Sequence, residues 1–128
     1  MKRAGILHPD ISHLLASTGH TDYFTICDRG FPVPLEPERI DLALVEGIPT
    51  VLDVLRAVHA EFVIDRIVVA EEAALVSADH VAALKEIVGT ERVMMMSHLA
   101  LKELSRGTRA TIRTGDATPY ANIIVVSG

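Results

Sequence analysis

Two histidines, an aspartate, a lysine, a tyrosine and an asparagine stand where predicted elements begin or end. Together they could move protons on a small polar molecule. His20 follows Gly19 and precedes the apolar run Tyr23-Phe24-Thr25-Ile26-Cys27, and Asp28 leaves that run before Arg29-Gly30. Histidine titrates near neutral pH, so it can both give and take a proton without strong retuning. Asp28 falls at the carboxyl end of an inner strand, the edge beside which open α/β sheets bind ligands. His98 and Lys102 are four apart on a predicted helix and share a face. His98 is in the first turn, where the helix dipole disfavours a protonated imidazole, whereas Lys102 lies where a cation is welcome. Tyr120 and Asn122, two apart at the start of the last predicted strand, would point the same way, a phenol and an amide suited to sugar hydroxyls.

Each group also has a purely structural reading. His20 reads as a loop histidine bonded to backbone, and Asp28 as a turn residue capping Arg29-Gly30. His98 and Lys102 read as a solvated helix face. Tyr120 reads as a cover for the sheet end and Asn122 as the close of a turn. Taken singly, the structural reading is favoured for His20 and for the His98/Lys102 pair, and the two are even for Asp28. The set points further, because the chain lacks the motifs of dinucleotide, phosphate, zinc and serine-nucleophile chemistry. There is no Gly-x-Gly-x-x-Gly, no phosphate loop, no His-Glu-x-x-His, no Cys/His zinc spacing and no Gly-x-Ser-x-Gly. Neither a metal nor a cofactor is expected. His8 and His13 flank Asp10 and leave a metal pair open, though a surface loop and helix start fits better. Cys27 reads as a small buried hydrophobe rather than a nucleophile.

The 128 residues are 49% hydrophobic, enough for one domain over 1–128 with a substantial core. A net charge of -5 without Lys/Arg clusters argues against nucleic acid and anionic membrane surfaces, and the absence of Trp argues against base-stacking platforms. One cysteine favours a reducing compartment. Lys2 and Arg3 are not followed by an apolar h-region before Pro9, and no apolar run approaches ~20 residues. A soluble, cytoplasmic protein is expected.

The elements that must position the candidate residues alternate between helix and strand. Asp10 caps a helix through about Thr18, stopped by Gly19. Strands are expected at 23–28 and 39–45, separated by a stiff loop with Pro32, Pro34 and Pro37. Thr50 and Asp53 have the spacing of a capping box and open a helix. A strand at 61–70 precedes a helix that Ser77 caps and Gly89 ends. A short strand at 92–96 leads to a helix capped by Ser97 and ended by Gly107. Two strands, at 109–113 and 121–126, complete the chain. This is an α/β pattern: a layered α/β/α domain around a largely buried mixed or parallel sheet.

The chain resembles the D-ribose pyranase family of the ribose pyranase/fucose mutarotase superfamily. The resemblance is carried by Gly19-His20-Thr21-Asp22, the segment from Cys27 to Pro34, Arg39-Ile40-Asp41-Leu42-Ala43-Leu44, Gly47-Ile48-Pro49-Thr50 and Ser97-His98 with Lys102. The ending Ile112-Arg113-Thr114-Gly115-Asp116 through Tyr120-Ala121-Asn122 carries it too. It runs essentially end to end, with only the segment between Ala70 and Met96 short for the family. Thr21 and the Arg39–Leu44 stretch fit the ribose branch better than the fucose branch, which tends to carry Gly after the active histidine.

The resemblance implies interconversion of pyranose and furanose forms of free D-ribose, alongside ribose uptake and phosphorylation. A mutarotase for ribose or L-fucose and a non-catalytic sugar-binding module are the rival readings. It further implies that His20 is the catalytic acid and that Asp28, His98, Tyr120 and Asn122 bind the sugar, with Lys102 close by. No metal or redox cofactor is implied. The expected assembly is a homo-oligomer, a pentamer or decamer with sites at subunit boundaries. Geometry adds a constraint: eight residues separate His20 from Asp28, up to ~26 Å if extended. Either residues 19–22 fold back beside the strand, or a neighbouring subunit supplies one of the pair.

Overall fold

β-branched residues crowd the segments that form the sheet, and short amphipathic segments between them form the helices. The computed structural model describes all 128 residues. Its elements run α1 (Pro9–Ser17), β1 (Tyr23–Cys27), β2 (Glu38–Asp41), α2 (Val51–His59), β3 (Ile64–Ala70), α3 (Glu71–Val76), α4 (Ala78–Val88), a 3-10 turn (Thr90–Arg92), β4 (Val93–Met96), α5 (His98–Ser105), β5 (Ala110–Arg113) and β6 (Ile123–Ser127). No helix is long and apolar enough to cross a membrane.

The six strands lie in the order β2-β5-β1-β6-β3-β4. β1, β2 and β5 pair in parallel, as do β3 and β4, while β6 is antiparallel to both of its neighbours, β1 and β3. Five strands therefore run one way and β6 runs against them. The carboxyl ends of the five and the start of β6 meet at one edge of the sheet. This is the α/β/α arrangement expected, with a mixed sheet whose central strands are buried and whose outer strands, β2 and β4, are partly exposed.

The two faces are covered unequally. Phe24, Ile26, Ile67, Val69, Ile112 and Ile123 pack with Leu14 of α1, Leu55 and Val58 of α2 and Leu84 of α4. Each such fully buried aliphatic side chain contributes ~1.5–3 kcal/mol relative to exposure. The other face is thinner: Cys27, Val68, Ala70 and Ile124 pack against Leu101 of α5 and Phe31 of the proline-rich loop. β3 thus leads to helices on the first face and β4 to α5 on the second. A crevice opens at strand ends where successive helices part in this way.

Several local expectations are realised. Thr50 Oγ1 accepts from Asp53 N at 3.1 Å and Asp53 Oδ2 accepts from Thr50 N at 2.9 Å, a complete capping box. Ser97 caps α5 through Ala100 N at 3.1 Å, and Gly89 ends α4 at φ 97°. Others are corrected. α1 begins at Pro9, a favoured first helical residue, so Asp10 lies inside it rather than capping it. The chain leaves α1 through extended Thr18, not through a left-handed Gly19. β2 ends at Asp41, and Val45 turns back to bridge with Ile48. The strand expected from 61 starts at Ile64, and the short α3 follows it where the sequence pattern marks no helix. Ser77 precedes α4 but makes no capping bond to it. β6 begins at Ile123, so Tyr120 and Asn122 precede the strand, and strand alternation does not orient them.

Candidate active site

Four of the six candidate residues are drawn together at the carboxyl edge. Asp28 follows β1, Asn122 precedes the neighbouring β6, and His98 opens α5 after β4. The Asp28 backbone N–H donates to Asn122 Oδ1 at 2.8 Å, a bond between residues 94 apart in sequence. That bond orients the amide and turns its nitrogen toward His98 Nε2 at 3.2 Å. An amide nitrogen only donates, so Nε2 is the acceptor and the imidazole proton sits on Nδ1. His98 is therefore neutral in this arrangement.

The surroundings agree with that protonation state. Burial, and then the Lys102 cation, push the His98 imidazole below its ordinary value, while Glu72 and Asp28 pull the other way. The Glu72 carboxylate accepts the His98 backbone N–H at 2.8 Å, occupying one of the free donors of the first turn of α5. Tyr120 meets the imidazole edge-on at 5.0 Å, and Phe31 does so from another side at 6.1 Å. Asp28 is pushed above the usual carboxylate range, mainly by burial, against hydrogen bonds from Gly30, Asn122 and Phe31. Its Oδ1 also accepts the Gly30 N–H at 2.9 Å, so the turn-capping role and a place in the cluster coexist. Tyr120 itself is left-handed, with φ 56°.

Lys102, half-buried one turn along α5, is felt electrostatically at His98 but faces a different space. It lines a cavity of about 410 Å³ with Leu99, Arg106 and Pro32. None of the cavities of the single chain is lined by Asp28, His98, Tyr120 or Asn122. Within the cluster Asn122 is buried, whereas Asp28, His98 and Tyr120 are half-buried.

His20 lies apart from the cluster. Thr21 N donates to Ser127 O at 3.1 Å and Ser127 N donates to Asp22 O at 2.8 Å, which extends the β1–β6 ladder past Tyr23. His20 is thus beside the end of β6, whereas Asp28 is beside its start. The separation is about 20 Å at strand rise. Residues 19–22 do not fold back beside β1, which removes one of the two ways His20 and Asp28 could have met. The His20 turn is well braced: Asp22 Oδ2 accepts from Gly19 N and from Arg109 Nη1, each at 3.0 Å. Thr21, next to the exposed His20, is left-handed at φ 69°, a conformation glycine would adopt without strain.

Phe31 and Glu72 are members of this surround that residue types alone do not single out. Phe31 sits in the motif segment after Asp28, a signal within reach. Glu72 belongs to α3, which no sequence pattern marks. Cys27 is fully buried beneath the site, and burial with the neighbouring Asp28 carboxylate pushes its thiol up to about 12. No group of three His, Cys, Asp or Glu side chains is placed to hold a metal ion, and His8 and His13 find no third ligand.

A six-stranded mixed sheet with helices on both faces and a hydrogen-bonded Asp28–Asn122–His98 cluster at its carboxyl edge defines a layered α/β protein. More specifically, the chain belongs to the RbsD / FucU transport protein family, whose model matches residues 1–128. A D-ribose pyranase of Geobacillus thermodenitrificans is 47% identical over 128 residues, covering 100% of this chain and 97% of that protein. One from Photobacterium profundum is 43% identical over 136 residues, covering 100% and 98%. Among solved structures, Bacillus subtilis RbsD complexed with D-ribose superposes with a TM-score of 0.95 at 34% identity, covering 100% of this chain and 98% of that one. The fucose mutarotase of Streptococcus pneumoniae, solved with L-fucose, shares the fold with a TM-score of 0.79 at 19% identity, covering 95% and 93%.

Proposed function

We propose that this chain interconverts the pyranose and furanose forms of free D-ribose. The observation that carries the reading is the Asp28–Asn122–His98 hydrogen-bonded cluster with Tyr120 against it, in a chain 34% identical and nearly superposable on a protein solved with D-ribose. The reaction breaks one C–O bond and forms another, and the catalysis it needs is proton transfer: the anomeric hydroxyl loses a proton as the ring oxygen gains one and leaves the anomeric carbon, and the open aldehyde recloses through another hydroxyl. A positioned acid/base gives such steps roughly 10²–10⁴-fold each. His20 would protonate the ring oxygen as its bond to the anomeric carbon breaks and take a proton from the closing hydroxyl as the new bond forms. The proton of the anomeric hydroxyl would pass to solvent and return to the carbonyl oxygen on reclosure. Asp28, Tyr120 and Asn122 would bind hydroxyls and neutral His98 would offer Nδ1–H, with Lys102 acting on His98 through its charge alone. Paired polar contacts of this kind reject sugars lacking the right hydroxyls better than an apolar pocket does.

His20 and the cluster lie at opposite edges of one sheet, and the cluster has no enclosing pocket of its own. Both facts support a site completed by the His20 turn of a neighbouring copy; the ring-shaped homo-oligomer, pentameric or decameric, is what the family resemblance implies. Within that reading the protein is a one-domain cytoplasmic enzyme that works without metal or cofactor and supports ribose catabolism at the uptake and phosphorylation step. Saturation-transfer NMR on free sugars tests it. Faster pyranose–furanose exchange with ribose is expected, abolished by His20→Ala with the fold retained. Acceleration of α–β exchange alone would mean a mutarotase, and binding without acceleration a sugar-binding module. Either outcome overturns the proposal.

A further inference from the structure

Tyr120 holds a left-handed backbone conformation that is uncommon and costly for a residue other than glycine, and the peptides on either side of it are gripped from outside the site. Ser77 Oγ donates to the carbonyl of Pro119 at 2.7 Å. His80 Nε2 donates to the carbonyl of Ala121 at 3.1 Å. Both side chains come from the start of α4, over 40 positions away in sequence, and neither belongs to the cluster around His98. They bracket the one residue whose ring lies edge-on to the imidazole at 5.0 Å.

The local chemistry of these two residues is unusual for their positions. Ser77 occupies the N-cap of α4, where a hydroxyl normally accepts a helix N–H, yet it makes no such bond and serves Pro119 instead. His80 is 6% exposed, on a helix face whose other buried members are Val81, Leu84 and Val88. A histidine so buried is stabilised by a hydrogen-bond partner, and here the partner is a carbonyl of the loop that carries Tyr120. Asp116, at the start of the same loop, fixes it from a third side: its carboxylate accepts from Val51 N at 2.9 Å and from Thr118 N at 2.8 Å.

We propose that Ser77 and His80 are positioning residues for sugar binding, clamping the Pro119 and Ala121 carbonyls so that Tyr120 and Asn122 are preset against His98. The inference rests on reading that cluster as the sugar-binding half-site. Preset groups bind without first losing conformational freedom, so releasing the clamp weakens binding more than it slows the chemistry assigned to His20.

The test compares His80→Leu, His80→Gln and Ser77→Ala in the assembled protein. Leucine fills the space without a donor, whereas the glutamine amide can still donate to Ala121 O. His80→Leu is expected to raise KM for ribose roughly tenfold or more with kcat little changed. It should also weaken the Tyr120–His98 ring contact seen by NMR and move the His98 titration toward that of an ordinary histidine, with His80→Gln restoring both. Ser77→Ala, at a half-buried position, should show a smaller effect in the same direction and covers the case in which His80→Leu does not fold. Native KM, ring contact and His98 titration in a folded His80→Leu would overturn the proposal. So would failure of His80→Gln to restore them. Tyr120→Ala separates this from the underlying reading: if it leaves KM unchanged, the sugar-binding assignment fails. If it raises KM while His80→Leu and Ser77→Ala do not, only the clamp fails.

Discussion

The amide nitrogen of Asn122 lies 3.2 Å from Nε2 of His98, and it points there because the amide oxygen is held by the backbone of Asp28. One asparagine therefore sets the tautomer of a histidine from a different strand end. Asn122→Asp keeps the acceptor for Asp28 N–H but replaces the donor facing His98 with a carboxylate oxygen. The His98 pKa is expected to rise by about one unit or more, because an opposite charge within contact distance favours the imidazolium. Ribose affinity should fall with it. Titration of the imidazole proton by NMR measures this, and an unmoved His98 would show that the amide does not govern its protonation.

Mixing two inactive variants examines how the site is assembled. His20→Ala removes the proposed acid and Asn122→Ala removes part of the cluster, so each homo-oligomer should be inactive. If the two halves come from adjacent copies, co-refolding the variants creates some boundaries where native His20 meets native Asn122, and ribose exchange returns. No recovery in confirmed mixed oligomers would place both halves within one chain.

Stability should fall on mild acidification. His98 and His80 both have folded pKa values below the ordinary 6.5, in each case chiefly from burial. Below that value the unfolded chain takes up these protons more readily than the folded one. Their contribution is fully present above about pH 6.5 and is lost as pH falls through the lowered folded values. Asp41 and Asp116 are held below 3.8, so their contribution persists until stronger acid. Asp28 has the opposite sign: raised by burial, it favours the fold below 3.8 and loses that contribution as pH rises through its folded value. Melting temperature is therefore expected to drop between about pH 7 and 5, and His80→Gln should reduce the drop. A melting temperature flat across that range would contradict the histidine assignment.

Cys27 should be inert in the native protein. It has no exposed surface and a thiol pushed up to about 12, so almost no thiolate exists near neutral pH. A chromogenic disulfide reagent should react only after denaturant is added. Prompt labelling of the native protein would mean that the thin α5 face opens.

Many features settled within a few residues are legible in the sequence, although the start and stop of α1, at Pro9 and Thr18 rather than Asp10 and Gly19, are not. The Thr50/Asp53 box, the Ser97 cap and the turn at Gly89 depend on neighbours close in the chain, and each is where its pattern places it. The strands rich in Val and Ile are legible for the same reason. Features that depend on distant partners are not. Ser77 looks like a helix cap because nothing local reveals that Pro119, 42 positions on, will take its hydroxyl. Tyr120 does converge with Asn122 near His98, but through a left-handed turn rather than strand alternation. The direction of β6 is equally hidden, since an apolar run of β-branched residues reads the same for parallel and antiparallel pairing.

The reversed direction of β6 has a consequence for how this protein can change over evolutionary time. The same strand begins just after Asn122 and ends at Ser127, which holds the His20 turn, so its length is the ruler between two chemically unlike ends. Adding or deleting one residue in β6 or β1 would flip side chains between faces and also alter the distance from the His20 turn to Asn122. This pair of strands is locked in length, because its register sets what stands at both ends of the sheet at once.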